Sequence, residues 1–197
     1  FRIWGTRLDE NMTSGGVETR RDRIKDGEFR EWSFPIEEIL QWVRTFLHDA
    51  GYEIVSPEHI GLVMPHIRAR RKEEDRTYEI VVVGAQHTDT AIDGLTKLSA
   101  AASVLGEKAD YVLVMPPISE YLLLDFLRGD KGRCYFAMKD LGLMMWLANP
   151  DEEFTWSVVG EPRDKIFREM FAAAKISVDF ILMRELTQQR WEEEEED

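Results

Sequence analysis

The sequence predicts an α/β domain in which a mixed central sheet is flanked by helices. Three features lead there. Residues 77–83 and 110–115 are nearly unbroken apolar runs rich in β-branched side chains, the pattern of strands covered on both faces. Residues 33–51 and 88–105 carry apolar side chains at helical spacing. The two kinds of segment alternate along the chain, and such alternation builds helical layers on a sheet.

Residues 1–32 are polar, mixed in charge and weakly periodic, and read as an N-terminal arm or linker. The domain proper is expected over residues 33–190, with an acidic tail at 191–197. Its first helix opens at Ser33, a capping residue, with Pro35 in the first turn. Glu37 and Glu38 suit the positive end of the helix dipole, and Gly51 ends the helix. A short strand follows at 52–55, then a turn at Ser56-Pro57. Residues 66–72 and 77–83 form a predicted β-hairpin, joined by a charged turn at 73–76. The helix at 88–105 takes Thr88 or Asp89 as its cap and stops at Gly106. A buried strand at 110–115 is closed by Pro116-Pro117, and Ser119 caps a shorter helix that ends by Gly129. Residues 134–138 and 143–147 read as strands, or as a turn between strands. Residues 149–153 read as a turn, and 162–190 as one long helix or two.

Composition bounds the function. The chain has 197 residues and a net charge of −13; six of the surplus charges lie in the run 192–197, so the body carries −7. Nucleic-acid phosphates call for a positive footprint, so this balance disfavours free nucleic acid as a partner, although a local basic patch is compatible with it. No apolar run approaches the ~20 residues needed to cross a bilayer. Nothing at the start resembles a signal peptide, and Phe1 reads as the inside of a longer product or a processed end. These features suggest a cytoplasmic protein that does not engage membranes. The single cysteine, Cys134, excludes an internal disulfide and reads as a small buried hydrophobe. Glycine-rich phosphate loops, nucleophile elbows and zinc motifs are absent from the sequence.

The hairpin carries a family resemblance. Met64-Pro65-His66-Ile67-Arg68-Ala69-Arg70-Arg71-Lys72 is followed by Arg76-Thr77-Tyr78-Glu79-Ile80-Val81-Val82-Val83-Gly84, the helix at 88–105 and the strand at 111–115. This stretch resembles the PD-(D/E)XK nuclease superfamily, the fold of many restriction enzymes, Holliday-junction resolvases and repair nucleases. The likeness rests on residues 65–116 and implies a restriction-endonuclease-like fold from 33 to about 147. In that family an Asp follows a Pro on the first hairpin strand. An acid and a Lys, two apart, share one face of the second strand. The acids hold Mg²⁺ through oxygen, and the Lys positions or activates the attacking water.

Here the resemblance puts His66 at the Asp position, Val81 at the acid position and Val83 at the Lys position. A second register puts Gly84 at the acid and Gln86 at the Lys. Either way the implied reading is a pseudo-nuclease that keeps the scaffold, holds no cofactor and works through a protein partner in a nucleic-acid-processing or defence assembly. The alternative is a relocated Mg²⁺ site. Catalysis would then rest on Glu79 with Asp75 and Gln86 or Lys97, and the metal on Glu79 with Glu38 or Glu37 from the first helix. A third reading is an unrelated α/β interaction protein.

His66, Arg68 and Arg70 alternate along one strand, so they read either as a nucleic-acid-binding phosphate patch or as a solvated face balanced by Glu73, Glu74 and Asp75. The acidic total favours the second. Gln86-His87-Thr88-Asp89 is expected to supply a turn and helix cap. Trp4, Trp32 and Trp191 stand in polar segments, where tryptophan serves to anchor a protein interface or to tie a terminus to the domain.

Overall fold

A computed structural model describes residues 34–56, 58–118, 120–129, 132–172 and 182. Ser33, Ser119, Trp4, Trp32, Trp191, the arm and the acidic tail lie outside these. The chain runs α1 (Ile36–Asp49), β1 (Glu53–Val55), β2 (Ile67–Glu73), β3 (Arg76–Gly84), α2 (Thr88–Leu105), β4 (Asp110–Met115), α3 (Glu120–Arg128), α4 (Arg133–Asp140), β5 (Leu143–Asn149), β6 (Phe154–Val159) and α5 (Phe167–Met170).

The six strands stand in sequence order in one sheet. β1, β2 and β3 form an antiparallel meander. β3, β4 and β5 are parallel, and β6 returns antiparallel along the edge. The sheet is therefore mixed, as the sequence predicts. The parallel strands need crossovers, supplied by α2 and by the α3–α4 pair. β4 and β5 are buried along their whole length, which explains their continuous apolar runs.

Each face of the sheet has its own core. On one side Ile39, Val43, Phe46 and Leu47 of α1 pack on Ile80, Val82, Val112, Val114 and Trp146. On the other, α2, α3 and α4 cover Val81, Val83, Leu113, Met145 and Leu147. Two glycines set the approach of the layers. A Cβ on Gly84 would stand 2.6 Å from Ile36 Cδ1 and 3.0 Å from Leu40 Cδ2, and one on Gly94 would stand 2.6 Å from Leu113 Cδ1. Lacking a side chain, Gly84 lets α1 lie directly on β3, and Gly94 does the same for α2 on β4.

Several expectations need correction. Pro35 holds the N-cap position of α1, and its carbonyl accepts from the Glu38 and Ile39 amides at 3.0 and 3.4 Å. The cap of α2 is His87. Its amide donates to Thr90 Oγ1 at 3.2 Å, and that hydroxyl donates back to the His87 carbonyl at 2.9 Å. Residues 134–138 are not a strand but part of α4, where Tyr135 and Met138 bury one helical face. A short apolar run does not declare its period, so helix and strand look alike there. β6 is an added strand. Its run of aromatic and β-branched residues after the turn at 150–153 was the available signal.

The largest correction concerns residues 162–172. A four-residue helical turn, α5, stands where a long helix was expected, and Phe171 leaves it in extended conformation. This segment forms a strap. Its Phe167 packs against Phe46, Tyr52 and Trp146 on the α1 side, with ring centroids 5.9, 5.4 and 5.3 Å away. Leu182 is buried in the opposite core. The Ala172 amide then donates to the Thr155 carbonyl on β6 at 3.0 Å. Asp164 is the physical cause of the irregular path, because its carboxylate is committed to partners outside any helix.

Candidate functional site

Charged side chains gather at two ends of the central strands and are treated differently there. At the end where β4 begins, arginines are clasped. Asp164 is 2 % exposed, and its carboxylate accepts from Arg71 Nε at 2.7 Å and Nη2 at 2.6 Å, from the Tyr52 hydroxyl at 2.9 Å and from the Ile166 amide at 3.1 Å. Burial works against the charge on Asp164, but Arg71, the Ile166 amide and Tyr52 outweigh it and hold the carboxyl below the usual range. Next to it Asp110 accepts from Arg163 through Nε at 2.7 Å and the backbone amide at 3.1 Å, and Arg163 also donates to the Glu107 carbonyl. Burial pushes Asp110 upward against the pull of Arg163. Every strong acceptor here has its donor, so this region ties down the strap rather than awaiting a ligand.

On the α2 side of the hairpin, strand register sets Arg70 beside Glu79 and Arg68 beside Val81. Glu79 Oε1 accepts from Arg68 Nε at 2.5 Å, and Oε2 from Arg70 Nε at 2.8 Å. Glu58 lies 3.6 Å from Arg68. The counter-charge for this pair is thus Glu79, not the turn residues Glu73, Glu74 and Asp75. Arg68 and Glu79 are each 11 % exposed and form an inward-facing ion pair, which departs from both the phosphate patch and the solvated face.

The residues of the relocated metal site do not come together. Asp75 sits in the hairpin turn and Gln86 just beyond the other end of β3, whose nine residues span roughly 30 Å. Glu79 has both oxygens taken. Lys97 is exposed on α2, and Glu37 and Glu38 lie on α1.

The positions that the resemblance assigns to metal chemistry are filled in another way. Val81 and Val83 are sealed in the core beneath α2. In the other register, Gly84 is covered by Ile36 and Leu40. His66 Nδ1 accepts from the Gly84 amide at 2.8 Å, which uses the one lone pair of a neutral imidazole and places its proton on Nε2. Burial lowers the His66 pKa, the positive charges of Lys97 and Arg44 lower it further, and Glu37 opposes them. A hard cation wants several oxygen ligands in an open shell, and these residues offer valine, glycine and an occupied imidazole nitrogen. They do not fit a magnesium ion.

Arg44 is the functional candidate that sequence reasoning missed. It is half-buried, one turn beyond Leu40 on the stripe of α1 that meets Gly84. The signal was present, since a charged residue continues the Ile36–Leu40 spacing, but nothing in the sequence places that stripe beside His66. Of the remaining expectations, Cys134 is packed beside the α2-side core, and burial pushes its thiol up to about 11. Trp42 donates to Thr155 Oγ1 at 3.0 Å and to the Phe154 carbonyl at 3.2 Å, which anchors α1 to β6. Among the described residues no helix is long and apolar enough to cross a membrane. No protein-family model matches the chain, and no curated protein matches it significantly.

Proposed function

We propose that this is a restriction-endonuclease-like domain that no longer cuts, and that it acts as a cytoplasmic scaffold or interaction module within a nucleic-acid-processing or defence assembly. The observation that carries the proposal is the seating of α1 on Gly84, together with the sealing of Val81 and Val83 under α2. Whichever register is used, the strand position that would present an acid is occupied by packed hydrocarbon. The order helix, three-stranded antiparallel meander, helix and parallel strand supports the fold assignment. The relocated site is the weaker rival, because Glu79 is neutralised by Arg68 and Arg70 and stands far from Asp75 and Gln86 along β3.

The test is calorimetry with Mg²⁺ and Mn²⁺ beside cleavage assays on single-stranded, duplex and branched DNA and on RNA. The expected result is no metal binding and no cleavage from a folded sample. Metal binding with cleavage that disappears in Glu79→Ala overturns the proposal and establishes the relocated site. A positive outcome for scaffolding is co-purification of a stable protein partner from the native host.

A further inference from the structure

Most partly or fully buried cations of this protein are met by carboxylates: Arg68 by Glu79, Arg71 by Asp164, Arg163 by Asp110. Arg44 breaks the pattern. Its half-buried guanidinium has no ion-pair or hydrogen-bond partner among the described residues, in a chain with 38 acidic side chains. Leaving such a group unpaired in partial burial is costly, and a free-energy cost held in a folded protein points to a missing counter-ion.

Three other donors without partners lie nearby. His66 directs Nδ1 to the Gly84 amide at 2.8 Å, which leaves an Nε2–H with nothing to donate to. Gln86, two residues past Gly84, has a half-buried carboxamide with no partner. Lys97, from α2, is unpaired even by Asp93 one turn earlier on its own helix. Arg44 and Lys97 both bear electrostatically on His66, and so does the one acidic group on this side, Glu37. The group thus draws donors from α1, α2 and both strand ends, with a surplus of one positive charge.

We propose that Arg44, His66, Gln86 and Lys97 form a metal-free binding site for a phosphate group. Neutral donors beside two cations suit an oxyanion with several acceptor oxygens, and the fixed imidazole supplies direction where the long side chains supply charge. The inference does not depend on the nuclease-like reading, since it needs neither that fold assignment nor any cleavage chemistry.

The experiment titrates the full chain with inorganic phosphate, and separately with a single-stranded oligonucleotide, in low salt with EDTA. The His66 ring resonances report the site, and calorimetry reports affinity. The expected result is a saturable shift of His66. Arg44→Gln weakens binding about tenfold, the scale of one charged hydrogen bond. Lys97→Gln, at an exposed position, weakens it less, and Glu37→Gln tightens it. Tighter binding of the oligonucleotide identifies backbone phosphodiesters as the source, and tighter binding of inorganic phosphate a free or terminal phosphate; both support the site. No saturable shift up to roughly 20 mM phosphate overturns it. So does equal affinity in Arg44→Gln and Lys97→Gln, and so does stronger binding of an oligoglutamate peptide than of phosphate. Cleavage in the preceding assay would overturn the scaffold proposal and leave this one intact.

Discussion

The two ends of the central strands use the same residue type for opposite purposes. Near the start of β4, Arg71 and Arg163 close on Asp164 and Asp110, and the strap is held across the sheet. At the other end of β3, Arg44 approaches His66 and Gly84 with no carboxylate to meet it. Paired guanidinium groups report where the fold needs closure, and an unpaired one reports where something else is expected. Counting charges along the sequence conceals this difference, because the two ends have similar composition and only the third dimension assigns partners.

Removing one side of a clasp should have the largest effect. Asp164→Ala leaves Arg71 facing the interior and strands the Tyr52 hydroxyl, so stability should fall by about 3–5 kcal/mol, measured by chemical denaturation. A loss under about 1 kcal/mol would mean that water relieves the buried cation and that the strap is held by Phe167 alone.

A middle effect is expected from acid. His66 has a folded pKa below its ordinary 6.5, because burial and nearby cations oppose its charge. Its contribution to stability is therefore fully present above pH 6.5 and lost as pH falls through the lowered value. Asp164 has the same sign in a lower window, below 3.8, while Asp110, raised by burial, contributes below 3.8 and loses that contribution as pH rises through its folded value. Between pH 4.5 and 6.5 the slope attributed to His66 should thus vanish in His66→Gln, read from thermal unfolding at several pH values. An unchanged slope would show that the Gly84 amide bond does not govern this histidine.

The smallest effects sharpen the contrast. Arg70→Ala removes the half-exposed arm of the Glu79 pair and should cost about 0.5 kcal/mol. Arg44→Gln should be neutral or slightly stabilising without ligand, because it relieves an unpaired charge. A cost above about 2 kcal/mol for Arg44→Gln would reveal a structural partner and remove the contrast.

Much of the fold was legible. The bounds of α2 and β4 follow directly from period and composition, since both are long enough or apolar enough to declare themselves. The hairpin at β2–β3 was marked by its charged turn. Helix α4 was not legible, because five residues of mixed apolar character fit either period. The strap was misread because Phe167 and Phe171 fit helical spacing, while the cause of its bend, Asp164 reaching Arg71, links residues 93 positions apart. The candidate site was legible as far as His66, Gln86 and Lys97, which lie close to the hairpin motif. Arg44 was not, because its place beside them depends on how low α1 sits on β3.

That low seat also shapes which sequence changes are open to the protein. An acid introduced at position 84 meets Ile36 and Leu40 before it can meet any metal. Trimming Ile36 or Leu40 first leaves a void under α1 with nothing to fill it. Each change is unfavourable alone and tolerable only after the other, so mutation one residue at a time finds no downhill route back to a carboxylate at this position. A library that varies residues 36, 40 and 84 together is the search that could cross it.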